Sequence, residues 1–328
     1  MSGLVTVFGG SGFVGTYVVR ALARRGWRIR VAVRKPRLAY KLRPYGDVGQ
    51  IQFVQANVAV RESVDLAIED ADACVNLVGV LFETPGRGFR RVHLDGANAV
   101  SAACAAAGIS QLVHVSAIGA DAQGASLYAR TKGEAEAIVS RHVPGARVVR
   151  PSIVFWPEDQ FFNRFAAMAD FAPALPLIGG GRTLFQPVYV GDVAAAVAAC
   201  LERGETAGRT FELGGPEILS FKELVAMTLR EIGKPRMLAP IPFPIAGLIA
   251  MAGDVQGLLY PLAGAPIITS DQVALLRRDN VVSPGAPGLA ELGVIPTGLQ
   301  SILPSYLWRY RRGGQFAQSP EVVSAAGG

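Results

Sequence analysis

The chain has 328 residues, half of them apolar, with 18% charged and a formal net charge of +6. That composition excludes intrinsic disorder, and three cysteines are too few for a disulfide scaffold. The stretch from Met237 to Ser270 carries Asp254 as its only charge, but Pro240, Pro242, Pro244, Pro261 and Pro266 interrupt it before the ~20 continuous apolar residues of a membrane span are reached. In chain order, Leu4–Phe8 reads as a buried strand ending in glycines and Phe13–Arg25 as a helix stopped by Gly26. Strands follow at Arg28–Val33, Ile51–Val54 and Ala71–Val78, then a helix at His93–Ala107. Gln111–Ser116 is a fifth strand, Leu127–Arg141 a second long helix and Ala146–Arg150 a sixth strand. This alternation predicts an α/β fold with a doubly wound parallel sheet, and the continuous Val/Ile/Leu runs suit strands covered on both faces.

After Pro151 the pattern loosens. Phe161–Ala172 reads as a helix, Ala174–Arg182 as a Pro/Gly loop and Val188–Leu201 as a strand followed by an Ala-rich helix. Phe221–Ile232 is a helix with a capping box from Ser220 and Glu223. The expected division is a dinucleotide-binding core over 1–235, a smaller, mostly helical C-terminal docking region over 236–316 and a flexible tail over 317–328. The opening Met1-Ser2-Gly3-Leu4 shows neither a signal peptide nor a transit segment, so the expectation is a mature form or a protein that works where it is made. Cys74, Cys104 and Cys200 lie in apolar contexts and read as buried reduced thiols.

The sharpest motif is Gly9-Gly10-Ser11-Gly12-Phe13-Val14-Gly15, between the first strand and the first helix. A glycine turn in that place lets backbone approach a pyrophosphate, which the helix N-terminus then binds. Gly9, Ser11, Gly12, Phe13 and Gly15 are the candidate contacts, and a ligand-free tight turn is the alternative. Where an NAD site has a carboxylate after the second strand, this chain has Arg34 and then Lys35. A guanidinium matches a 2′-phosphate, so the expected cofactor is NADPH rather than NADH, with a solvated surface charge as the alternative. Asn57, after the third strand, is a candidate for the adenine edge or a plain turn residue.

Tyr128-Ala129-Arg130-Thr131-Lys132 puts a phenol and an ammonium on one helix face. The ammonium would lower the phenol's pKa and make Tyr128 a general acid or base, or Lys132 would hold ribose hydroxyls without chemistry. Ser116 is the weakest catalytic candidate, since Ala117 and Ile118 follow it. His93, His114 and His142 are isolated and read as structural, and no metal site is expected.

Together these motifs resemble the extended short-chain dehydrogenase/reductase superfamily, from Leu4 to about Ile232. Arg150–Phe155, Val188–Ala194 and Leu213-Gly214-Gly215-Pro216 look like its later landmarks. Further segments resemble one branch, the nucleotide-binding accessory subunits of respiratory complex I. They are Asn76–Gly79, Pro151-Ser152 through Phe161, Phe185–Val190, Pro240–Pro244, Gly288–Gly293 and Trp308–Arg312. The resemblance implies contacts from Val78 and Pro151 to the cofactor and a tightly held NADPH outside turnover. It also implies partners among complex I subunits near the quinone site, on the cytoplasmic face of a bacterial inner membrane. Trp156-Pro157 departs from the superfamily, where a Gly commonly stands after the aromatic residue.

Residues Ile245, Leu248, Ile249, Ala252, Val255, Leu258, Leu259 and Leu262 recur at helical spacing opposite small or polar ones. Such a helix docks on a partner, on a lipid interface or on the chain's own core. Trp308, Arg309, Tyr310, Arg311 and Arg312 suit anionic head groups or a solvated end, and nucleic acid is not an expected partner. The expected function is a non-catalytic, NADPH-binding accessory subunit of complex I. An active reductase, epimerase or dehydratase built on Tyr128 and Lys132, and an NADPH sensor, are the alternatives.

Overall fold

The computed structural model describes residues 3–260, 262 and 266–316. The six expected strands are present as β1 (Leu4–Phe8), β2 (Arg28–Val33), β3 (Ile51–Gln55), β4 (Ala73–Asn76), β5 (Gln111–Val115) and β6 (Arg147–Pro151). Short strands β7 (Val154–Phe155), β8 (Ala174–Ile178), β9 (Leu184–Phe185) and β10 (Val188–Tyr189) follow, then β11 (Thr210–Leu213), β12 (Leu219–Ser220) and β13 (Met237–Ile241). The main sheet runs β3-β2-β1-β4-β5-β6-β11, every neighbour parallel, so the chain crosses over at β1/β4. In such sheets the ligand cleft opens at the carboxyl ends of the strands beside that switch point.

Helices α1 (Phe13–Arg24), α2 (Arg61–Ile68), α3 (Gly96–Ala106) and α4 (Leu127–His142) alternate with the strands. They are followed by α5 (Phe162–Phe171), α6 (Val190–Glu202), α7 (Phe221–Ile232), α8 (Phe243–Leu258) and α9 (Ser270–Leu275). One sheet face is covered by α1 and α6 through Val18, Val19, Leu22, Val193 and Val197, the other by α2, α3 and α4 through Val64, Val100, Cys104 and Val139. Each such side chain taken fully from water contributes roughly 1.5–3 kcal/mol. Arg150 ties β6 to α4 and to β11 through Glu136 and Glu212. All three cysteines are buried and free.

The second lobe is built around Phe155, Phe162, Phe221, Leu224 and Tyr306. Here the structure corrects two readings. Ala174–Ile178 is a strand, not a loop, because Met237–Ile241 pairs with it in parallel and Leu175 and Leu177 turn inward. Its Pro176 and the partner Pro240 are tolerated in a two-stranded ribbon, where outer N–H groups need no partner. The Trp308–Arg312 segment, expected to meet anionic head groups or to be a solvated end, is instead tied to the lobe, with Arg309 and Arg312 still exposed. Arg311 pairs with Glu231 at 3.0 Å, and Arg309 donates to the Pro157 carbonyl at 2.6 Å. Residues 236–316, expected as one docking region, divide their packing: Leu289 and Leu292 join the main sheet's core, whereas Leu299 and Leu303 join the lobe. The expected tail over 317–328 lies outside the described residues.

Candidate nucleotide site

The glycine turn sits at the carboxyl end of β1, over the switch point. Gly9 has φ +79°, a left-handed backbone that L side chains rarely adopt, and a Cβ there would press within 3.1 Å of the Leu77 carbonyl carbon. A methyl on Gly15 would collide with the Gly9 carbonyl oxygen, so α1 can cross this close to the turn only with glycine there. Gly12 caps α1 in extended geometry with no side-chain hydrogen bond, and the first turn holds no acidic residue. The uncapped N–H groups and positive dipole end are therefore available to an anion. Ser11 and Phe13 are half-buried beside exposed Gly12, and Val78 runs under the turn, its N–H held by Asn76 at 3.1 Å.

Arg34, immediately after β2, is exposed. The Asn57 side-chain oxygen accepts the Ala59 N–H at 3.2 Å, which gives that residue a turn role. At the other end of the cleft, the Pro151 carbonyl at the end of β6 accepts the Ile118 N–H at 3.0 Å. Trp156 lies between the two lobes, edge-on to Tyr17 of α1 at 6.2 Å and to Tyr189 at 5.2 Å, while the Tyr17 hydroxyl donates to Glu158 at 3.1 Å. The departure from Gly at this position thus fills an aromatic seam joining α1 to the second lobe.

Tyr128 and Lys132 do share one face of α4, but not with the expected electrostatics. Burial and the Asp271 carboxylate push the phenol up to about 12, the reverse of activation by lysine. Lys132 is buried, donates to the Val115 carbonyl at 3.2 Å and is pushed down to about 8 by burial, with Glu136 acting in the opposite sense. Ser116 is only 4% exposed, and its hydroxyl has no hydrogen-bond partner among the described residues. It therefore does not bond Tyr128 or Lys132. His93 accepts the Val80 N–H at 3.2 Å and meets the Thr131 hydroxyl at 3.0 Å, and His142 bonds Asn98. His93 and His114 are both pushed down to about 3, chiefly by burial, and stay neutral at physiological pH. Among the described residues no cluster of His, Cys, Asp or Glu could hold a metal.

Asp271 was not legible as part of this site. From α9 it accepts the Leu127 N–H at 2.5 Å and the Tyr128 N–H at 3.2 Å, an external cap on α4 added to that of Ser126. The Thr269/Gln272 capping box announces α9 in the sequence, but nothing local announces its contact with a helix more than 140 residues away.

The residues fit a nicotinamide dinucleotide: a backbone cradle that a Cβ would fill, an uncapped helix N-terminus, and a buried lysine at the far end of the cleft. Comparison with known proteins agrees. Residues 5–214 match the NAD dependent epimerase/dehydratase family. The chain is 34% identical to the NADH dehydrogenase [ubiquinone] 1 alpha subcomplex subunit 9 of Arabidopsis thaliana, covering 96% of this chain and 80% of that one. It is 29% identical to the NADH-ubiquinone oxidoreductase 40 kDa subunit of Neurospora crassa, covering 96% and 81%. The fold superposes on the UDP-glucose 4-epimerase of Thermus thermophilus in complex with NAD with a TM-score of 0.66, at 20% identity, over 94% of this chain and 98% of that one. The chain belongs to the NAD dependent epimerase/dehydratase family and, within it, to the branch of the alpha subcomplex subunit 9 proteins.

Proposed function

We propose that this protein is an accessory subunit of a complex I-type NADH:quinone oxidoreductase, holding NADPH as a structural element rather than turning it over. One observation carries the reading. The epimerase/dehydratase match ends at residue 214, yet similarity to the complex I subunits spans 96% of the chain, including the C-terminal part with the exposed apolar face of α8. In the proposed complex, Gly9, Gly12 and Gly15, with Ser11, Phe13 and Val78, admit the pyrophosphate. Arg34 takes the 2′-phosphate, Asn57 lies at the adenine end, and Tyr128, Lys132 and Pro151 line the nicotinamide end. A ligand that binds only the folded chain stabilises it by mass action.

The eroded catalytic set supports a holding role. Tyr128 is a weaker acid here than free tyrosine, so less of it is phenolate at neutral pH, and Ser116 is followed by Ala117 and Ile118. The seat we infer is beside the quinone region, peripheral to the cytoplasmic face of a bacterial inner membrane. Among the described residues no helix is long and apolar enough to cross a membrane, so attachment would run through partner subunits and the lipid surface. Purification of the protein from its native membrane in mild detergent tests the reading: complex I subunits should accompany it, and their absence would refute it. The second reading, a working reductase, is favoured by the retained Tyr128 and Lys132 on one face of α4. A Tyr128→Phe variant that keeps all NADPH-oxidising activity would remove it.

A further inference from the structure

Charge is distributed unevenly along this chain. Its first 46 residues hold ten of the 32 Lys and Arg and no Asp or Glu, while the remaining residues carry more acids than bases. Two of the ten are engaged elsewhere: Arg25 pairs with Glu202 at 3.3 Å, and Arg30 donates to the Ala67 and Glu69 carbonyls. Arg34 and Lys35 lie at the proposed 2′-phosphate end of the nucleotide. Of the rest, Arg37, Lys41 and Arg43 fall on one segment, the 3-10 helix Pro36–Tyr45 between β2 and β3, and Arg20 of α1 reaches it.

A 3-10 helix repeats every three residues, so Ala39 and Leu42 share a face. That face points inward: both are fully buried, in the core that holds Val19, Leu22 and Trp27. The residues around them turn outward. Arg37, Lys41 and Arg43 are exposed, as are Leu38 (62%), Tyr40 and, in the following turn, Val48. Aromatic rings anchor two of the cations: the Arg43 guanidinium lies 4.4 Å from the Tyr40 ring centre, and that of Arg20 5.7 Å from the Tyr45 ring centre. None of Arg20, Arg37, Lys41 and Arg43 has an ion-pair partner among the described residues.

Unpaired cations gathered on one face call for an anionic partner. Leu38 and Val48, standing out among them, favour a lipid interface, where apolar side chains enter the acyl boundary while Lys and Arg meet phosphates. Nucleic acid suits the face less: Tyr40, with Arg43 over its ring and Phe53 edge-on at 5.3 Å, is no free platform for a base. We propose that Arg20, Arg37, Lys41 and Arg43 bind the head groups of an anionic bilayer, with Leu38 and Val48 entering its interface.

This proposal rests on the peripheral seat inferred above, and its test separates the two. The purified full chain is sedimented with phosphatidylcholine vesicles, with and without one part in four of phosphatidylglycerol. The wild type should favour the anionic vesicles at least about tenfold, and salt at about 0.5 M should release it. Lys41→Gln alone should lower partitioning about fivefold, and Arg37→Gln, Lys41→Gln and Arg43→Gln together about 100-fold. Leu38→Ser should lower it about three- to tenfold. A control triple, Arg141→Gln, Arg182→Gln and Lys222→Gln, removes the same charge elsewhere and should change it less than about threefold. Denaturant midpoints and NADPH affinity are measured for every variant and should match the wild type. No binding, equal binding to both vesicles, equal losses in the two triples or undiminished binding by the first triple would overturn the proposal and leave the complex I reading standing. If the first triple keeps vesicle binding but no longer recovers complex I subunits from membranes, the face meets an acidic protein and the lipid assignment is wrong. Loss of NADPH binding in that triple would place the face in the nucleotide site and overturn the proposal as well. Absence of complex I subunits from wild-type preparations refutes the accessory role whatever the vesicles show.

Discussion

Helices α6 and α8 are alike in sequence and opposite in environment. Both are almost wholly apolar, with Asp192 and Glu202 the only charges in α6 and Asp254 the only one in α8. In α6, ten of thirteen residues are buried, between the sheet, α1 and the C-terminal turn that brings Leu289 and Leu292. In α8 only Ala246, Ala250, Gly253 and Gly257 are buried, out of sixteen. That small stripe docks inward, so closely that a Cβ on Gly253 would collide with the Ile268 carbonyl oxygen. The large side chains point outward, with Leu248 71% and Leu258 67% exposed, and Ile245, Met251 and Val255 more than half exposed. A helix apolar on all sides is normally buried. α8 obeys the rule on one side only, and a continuous outward apolar face on a folded chain marks an interaction surface.

The largest effect separates the two helices outright. Val197→Asp in α6 puts an unpaired carboxylate into a fully buried position and should cost about 3–5 kcal/mol, enough to unfold the chain in a denaturant titration. Leu248→Asp in α8 should stay within ~0.5 kcal/mol of wild type in the same titration. Equal losses would mean that α8 is packed against its own chain after all. Next comes Gly253→Val, which wedges α8 off the Ile268 backbone and should cost about 1–3 kcal/mol by overpacking. Because Ser270 bonds Asp254, and Asp271 in turn caps α4 at Tyr128, the same variant should weaken NADPH binding; unchanged affinity would show that α8 and the cleft are uncoupled.

The smallest effect concerns the buried aspartate of α6. Asp192 accepts the Thr297 N–H and hydroxyl, but burial raises its pKa above the usual carboxylate range. Ionisation is therefore harder in the folded chain, and the wild type loses stability as pH rises through and above ~3.9, the unfolded value. Asp192→Asn escapes that loss, so urea titrations should shift in favour of the variant as pH is raised from about 3 to about 6. A flat difference would place Asp192 in a wetter site than its burial implies.

These contrasts also mark what the sequence could and could not convey. The glycine turn, the six strands and the α7 capping box were legible because each is decided by neighbours a few residues apart. The helical period of α8 was equally visible, but not which face would turn inward; that depends on the approach of the Ile268 backbone. The expectation that Lys132 lowers the Tyr128 pKa failed because burial, and after it the charge of Asp271 brought in from a remote part of the chain, push the phenol the other way.

The deciding measurement is the yield of complex I subunits recovered in mild detergent from native membranes with the wild-type chain and with a Leu248→Asp, Leu258→Asp double variant. Both proteins are first shown to fold and to hold NADPH equally. A surface-docked accessory subunit predicts stoichiometric recovery with the wild type and loss of most of it with the variant, at unchanged stability and nucleotide content. Recovery with neither protein, or undiminished recovery with the variant, would contradict the assignment of α8 as the docking face, and the first of these would also contradict the accessory role.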